Sequence, residues 1–239
     1  MTLYPSDLSL PGIRIRLSGA APDGERLLVA GGRAPSVPWL QAAAEGRRVV
    51  AIDRGIDACR AAGIIPARLI GDGDSASPEA WAWARRHGVP TLRFPKDKDE
   101  TDTQLALRED DEAGGFVILT GTFGGRFDHA YSALYSLVGA GLSGCLADDR
   151  EILFLLRAGC AARFEPDRAP KVVSLLPLTD VCEGVDLSGV HWPLTGARLE
   201  RLRPYAVSNR LDSPEGIFEV EIGAGLLGVY LCRDEDVPG

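Results

Sequence analysis

The sequence predicts an α/β N-terminal domain built on a mainly parallel sheet, joined to an all-β C-terminal sandwich domain. Three observations carry that prediction. Over the N-terminal part, short apolar runs of strand length alternate with helix-like segments, the βαβα rhythm of a parallel sheet covered on both faces. Beyond about Asp148, helix periodicity disappears, and β-like runs follow one another between Gly and Pro residues. Three acid-bearing motifs come soon after apolar runs in the first part, as expected where segments leave the ends of parallel strands. The expected domains are residues 1–150 and 151–239.

The first strand is Leu27 to Ala30, running into Gly31-Gly32. A helix from Pro38 to Gly46 follows, then a strand from Arg48 to Ile52 that ends at Asp53, then a helix around Ile56 to Ala62 stopped by Gly63. Ala67 to Ile70 reads as the next strand and Pro78 to His87 as a helix with Trp81 and Ala84 on one side. Thr91 to Phe94 is a further short strand, a helix begins at Asp102 and runs to Arg108, and Phe116 to Thr120 is a buried strand. In the second domain the β-like runs are Ile152 to Leu156, Ala161 to Phe164, Val172 to Leu176, Ile217 to Ile222 and Leu226 to Leu231. The first twenty residues have no assigned role.

Composition excludes several function classes. With 26 Lys and Arg against 34 Asp and Glu the formal charge is −8, the wrong sign for a nucleic-acid or anionic-membrane surface. Five cysteines form an odd set without a C-x-x-C pair, which argues against a disulfide framework or zinc ribbon and suits a reducing cytoplasm. No apolar stretch is long enough to span a bilayer, and Met1 to Gly19 lacks the order of a secretory signal. The expectation is a cytoplasmic protein that acts on small molecules.

Gly71-Asp72-Gly73-Asp74-Ser75 sets two carboxylates on a turn where both can face one ion. Lys98-Asp99-Glu100-Thr101-Asp102 combines a phosphate-seeking cation with a capped helix start, Thr101 or Asp99 being the cap and Asp102 lying in the first turn. Gly124-Gly125-Arg126-Phe127-Asp128-His129 supplies a flexible glycine pair, an arginine suited to bidentate phosphate binding, an acid and an imidazole. Each motif alone has an ordinary structural explanation, as a solvated turn or a capped helix. Together they bring Asp72, Asp74, Asp99 and Asp102 towards one sheet edge, where mutual repulsion calls for a hard cation such as Mg2+ accompanying substrate phosphates.

The order of these motifs resembles the thiamine pyrophosphokinase family over nearly all the chain from Leu27. Ala51-Ile52-Asp53-Arg54-Gly55, Gly63-Ile64-Ile65-Pro66 and Leu119-Thr120-Gly121 fit the same order, as do Val173 to Leu178, Ser188 to Leu194 and Ser208-Asn209 in the second domain. The resemblance implies Mg2+-dependent transfer of a diphosphoryl group from the co-substrate ATP to thiamine, by a homodimer with active sites at the subunit interface. It implies that Asp72, Asp74, Asp99 and Asp102 lie around the metal and triphosphate, with Asp53, Lys98, Thr101, Gly124, Gly125 and Arg126 at the nucleotide. Arg126, Asp128 and His129 would border the reacting centre. Trp192 would stack on the thiazolium cation, with Ser208 and Asn209 as hydrogen-bonding neighbours. The chain departs from the family's usual residues at Arg54, Gly73 and Ala133. Two other readings stay open at this point: a related diphosphokinase for another alcohol, such as a pterin, and a nucleotide or thiamine sensor without catalysis.

Overall fold

The computed structural model of the chain describes residues 4–19, 24–73, 75–95, 99–109, 115–212 and 216–233, so Asp74 and Lys98 lie outside the described residues. The chain divides into two compact units, Pro22–Asp148 and Met1–Ala21 with Asp149–Gly239. The expectation that residues 1–150 form the first domain is therefore corrected at its start. Strands β1 (Ser6–Leu10) and β2 (Ile13–Leu17) make an antiparallel hairpin, and β2 pairs antiparallel with the strand Cys160–Pro166 of the C-terminal part. The physical reason is alternation: Leu8, Leu10, Ile13 and Ile15 are buried while Arg14 and Arg16 face solvent, the pattern of a strand with one covered face.

In the unit Pro22–Asp148 the elements run β3 (Glu25–Val29), α1 (Val37–Ala44), β4 (Arg48–Ile52), α2 (Gly55–Ala61), β5 (Arg68–Gly71), α3 (Pro78–Arg86), β6 (Thr91–Arg93), α4 (Asp102–Glu109), β7 (Phe116–Thr120), α5 (Phe127–Gly139) and β8 (Ser143–Ala147). The strands lie in the order β8-β7-β3-β4-β5-β6, and their pairings are parallel. Leu27, Leu28, Val50, Ala51, Leu69, Ile70, Val117, Ile118 and Leu119 are completely buried, as the continuous apolar runs of a doubly covered parallel sheet require. The chain starts in the middle at β3, steps outwards through β4, β5 and β6, then returns to β7 on the other flank. Connections leave β3 and β7 in opposite directions, which opens a crevice beyond their C-terminal ends.

In the other unit β9 (Glu151–Arg157), β10 (Cys160–Pro166), β11 (Val172–Pro177), β12 (Val181–Ser188), β13 (Leu194–Glu200), β14 (Phe218–Ile222) and β15 (Leu226–Cys232) pair antiparallel throughout. β1-β2-β10-β14-β12-β13 form one sheet, and β11, β15 and β9 pair side by side. Phe164 of β10 and Phe218 of β14 stack at 4.6 Å, and Phe154 of β9 meets Phe164 edge-on at 5.7 Å, so aromatic rings join the two sets of strands. β12 and β13 are absent from the runs expected above, because their faces are largely polar and their register is broken by bulges.

Candidate active site

A cleft of about 1040 Å³ lies at the crevice of the unit Pro22–Asp148. It is walled by Gly31, Gly32 and Arg33 after β3, Asp53 and Arg54 after β4, Ser75 after β5, Thr101 to Thr103 at the start of α4, Gly121, Thr122 and Gly124 to Arg126 between β7 and α5, and Asp128 and His129 in the first turn of α5. Of the residues expected at the nucleotide and the reacting centre, Asp53, Thr101, Asp102, Gly124, Gly125, Arg126, Asp128 and His129 line it. Asp99 is exposed and is not among the lining residues.

The acids gather around Asp53. Its backbone is left-handed (φ 46°), its N–H donates to the Ile70 carbonyl at 2.7 Å, and one carboxylate oxygen, Oδ2, accepts from the Ser75 hydroxyl. The other oxygen, Oδ1, is buried without a hydrogen-bond partner among the described residues. Burial pushes the carboxyl above the usual carboxylate range; the Ser75 bond opposes this, while the like charges of Asp102 and Asp72 add to it. Among the described residues, no group of three or more His, Cys, Asp or Glu side chains is placed to hold a metal ion. An open set suits magnesium all the same, because that ion takes one or two carboxylates and completes its shell with water and phosphate oxygen. The orphaned Asp53 oxygen beside Asp72 and Asp102 is hard-donor chemistry of that kind.

Thr101 caps α4 as the sequence spacing suggests. Its hydroxyl accepts from the Gln104 N–H at 3.3 Å, and the Gln104 amide oxygen accepts from the Thr101 N–H at 2.8 Å, a reciprocal capping box that sets Asp102 in the first turn. At the start of α5, Arg126 Nε donates to Asp128 Oδ1 at 3.1 Å, and the His129 N–H donates to the same oxygen at 3.0 Å. The Arg126 guanidinium holds the Asp128 carboxyl below the usual carboxylate range. Both side chains of this pair are exposed, so little energy opposes its exchange for an incoming phosphate.

The turn Gly71-Asp72-Gly73 rests on Trp81 of α3. Gly73 has φ +82°, and a Cβ on it would lie 2.8 Å from Trp81 Cζ2. The indole is 6% exposed, and the Arg93 guanidinium lies 4.6 Å above its ring. The absent side chain at 73 is thus matched by a tryptophan that fills its place.

Trp192, Ser208 and Asn209 belong to the unit with Asp149–Gly239. Trp192 is exposed, and Arg210 places its guanidinium 5.5 Å over the indole. Asn209 is buried, and its amide is spent on main chain: Oδ1 accepts from the N–H of Trp192 at 3.1 Å and of Arg210 at 2.9 Å, and Nδ2 donates to the Trp192 carbonyl at 2.8 Å. Asn209 therefore holds Trp192 in place. Ser208 is exposed with φ 59°, and its N–H donates to Ser174 Oγ at 3.0 Å.

Sequence reasoning missed Arg33, Ser75 and Thr122 as cleft residues. The Gly31-Gly32 pair after the first strand was the available signal for Arg33, whereas Thr122 falls between the Leu119-Thr120-Gly121 and Gly124-to-His129 motifs and carries no signal of its own.

The family model described as the thiamin pyrophosphokinase catalytic domain matches residues 40–145, and that described as the thiamin pyrophosphokinase vitamin B1 binding domain matches residues 163–227. The chain is 26% identical over 201 residues to thiamine pyrophosphokinase of Bacillus subtilis, covering 82% of this chain and 94% of that protein. The crystal structure of a Bacillus subtilis thiamine pyrophosphokinase has the same fold, with a TM-score of 0.76 at 23% identity over 88% of this chain and 99% of the other. That of a thiamin pyrophosphokinase family protein from Enterococcus faecalis gives 0.74 at 26% identity, covering 88% and 100%. With both domains matched, in order and over most of its length, this chain belongs to the thiamin pyrophosphokinase family.

Proposed function

We propose that this chain transfers the diphosphoryl group of ATP to the hydroxyl of thiamine, giving thiamine diphosphate and AMP. The observation that carries the reading is the cleft at the switch point, which sets acids on one wall and a glycine loop with Arg126 on the other in a chain of this family. In the reaction the thiamine hydroxyl oxygen forms a bond to the β-phosphorus of ATP. The bond from that phosphorus to the oxygen bridging to the α-phosphate breaks, and AMP leaves with the electron pair. Mg2+, when bound, neutralises charge on the phosphate oxygens. Asp53, Asp72 and Asp102 would hold it, with Asp74 and Asp99 as the further acids of the sequence motifs.

The residues of this chain do the rest. Arg126 leaves Asp128 for the transferring phosphates, and Gly124 and Gly125 let backbone N–H groups approach them. Lys98 is a second phosphate-seeking cation of the same reading. Asp128 and His129, side by side at the start of α5, are the two candidates to accept the proton of the attacking hydroxyl or to orient it. On the C-terminal sandwich, Trp192 offers its exposed indole face to the thiazolium ring, with Ser208 beside it and Asn209 holding it from behind. The homodimer implied by the resemblance, with a cytoplasmic location, belongs to the same reading. Among the described residues no helix is long and apolar enough to cross a membrane.

The test is product analysis by mass spectrometry after incubation with Mg2+, ATP and thiamine, beside a control without thiamine. Equal amounts of AMP and thiamine diphosphate are expected. ADP with thiamine monophosphate would replace diphosphoryl with simple phosphoryl transfer, and ligand binding without product would turn the reading to a sensor.

A further inference from the structure

We infer that the buried ion pair between Arg33 and Asp148 is the positioning element that fixes the cleft's glycine loop for nucleotide binding, an inference that rests on the diphosphokinase reading. Arg33 lies in the loop after β3, the first of the two connections that diverge at the crevice, and Asp148 follows the end of β8. Arg33 donates from Nε at 3.1 Å and Nη2 at 2.6 Å to one oxygen of Asp148, whose side chain is completely buried. Only 16% of the Arg33 side chain is exposed, at the cleft wall.

The same residue grips the opposite loop. The Gly32 N–H donates to the Gly121 carbonyl at 2.7 Å, and the Arg33 N–H donates to the Phe123 carbonyl at 2.9 Å. A Cβ on Gly124 would lie 2.9 Å from Arg33 Cβ and 3.3 Å from its Cδ, so the arginine stem packs directly against the Gly124 backbone. The loop has glycine at 121, 124 and 125, and such a segment does not hold a single conformation by its own preferences. Arg33 supplies the missing constraint from below. Breaking the Arg33 contacts to the fully buried Asp148 carboxylate is costly, because a charge removed from water needs its hydrogen-bonded partners. The pair thus ties the end of β8 to both phosphate-facing loops, and Arg33 acts through the loop's backbone without needing to touch the reacting atoms.

The test compares Arg33→Lys, Asp148→Asn and the double variant Arg33→Met/Asp148→Leu with the wild type. The readouts are the equilibrium affinity for magnesium α,β-methylene-ATP, the KM of each substrate, and folding by circular dichroism. The double variant removes both charges and so avoids stranding one in the interior, which keeps the test decisive where a single variant fails to fold. Nucleotide affinity is expected to fall about tenfold to a hundredfold in the folded variants, as misplacement of a binding loop costs, with thiamine KM changed less than about twofold. Wild-type nucleotide affinity in the folded double variant would overturn the inference, as would equal losses for both substrates. Should the wild type make no thiamine diphosphate while the variants still lose nucleotide affinity, the diphosphokinase reading fails and the positioning role stands.

Discussion

Replacing Gly73 by alanine should damage the acid-bearing turn out of proportion to the single methyl added. The backbone there has φ +82°, which costs a residue with a Cβ about 1–2 kcal/mol. The new methyl would also sit 2.8 Å from Trp81 Cζ2 and 3.0 Å from Cε2, well inside the ~3.5–4.0 Å at which carbon atoms rest. Overpacking of that kind costs about 1–3 kcal/mol, because Trp81 is buried between α3 and the turn with Arg93 across its ring. The sum, about 2–5 kcal/mol, appears as lost stability or as a displaced turn. Either way Asp72 moves. At about 2–4 °C per kcal/mol for a chain of this size, thermal unfolding should shift down by about 4–20 °C. Trp81→Phe in the Gly73→Ala background should return the steric part and leave the backbone part, so the two changes cost less together than their sum. The assay is a melting curve with a magnesium titration of activity for all four proteins of the cycle. A Gly73→Ala protein that melts within a degree of the wild type, at the same magnesium requirement, would refute the packing argument.

Three further outcomes are expected. Asn209→Ala removes three hydrogen bonds of a buried amide and should cost about 2–4 kcal/mol by denaturant unfolding, with a higher KM for thiamine; unchanged KM would separate Asn209 from the placing of Trp192. Arg210→Ala frees the indole face, and an exposed cation–π contact implies a thiamine KM roughly two- to fivefold lower; a higher KM would make Arg210 a substrate contact. Asp53 carries a carboxyl raised chiefly by burial, so the folded state binds its proton more tightly than the unfolded chain. Its contribution to stability is full at low pH and is lost as pH rises through the raised value, so in magnesium-free buffer the wild type should lose melting temperature between acidic and neutral pH where Asp53→Asn does not. Parallel melting profiles for the two proteins would remove Asp53 as the cause.

What could be read from the chain depended on whether the deciding interaction was local. The strands β3, β4, β5 and β7 are buried on both faces, so each announces itself as an apolar run, and the acids that follow them could be placed before any geometry was known. β1 and β2 carry an equally regular alternation, yet the distant strand that β2 pairs with, β10, begins at Cys160, and nothing in residues 6–17 encodes which strand covers that edge. β12 and β13 present polar residues on much of both faces, which erases the period on which such reading rests.

The candidate site divides along the same line. Glycine–aspartate turns, the Thr101–Gln104 box and the Gly124-to-His129 run are contiguous, and their chemistry is written in their order. Arg33 and Asp148 lie 115 residues apart and meet only after β3 and β8 have been laid into one sheet. The pairing of Gly73 with Trp81 is the instructive middle case. From sequence, Gly73 is a turn residue between two aspartates, and Trp81 lies on one side of a helix. The structure makes them one feature, since the indole occupies the volume that a side chain at 73 would need. A glycine in a turn is therefore a statement about the space around it, and it can be judged only together with the neighbour that fills that space.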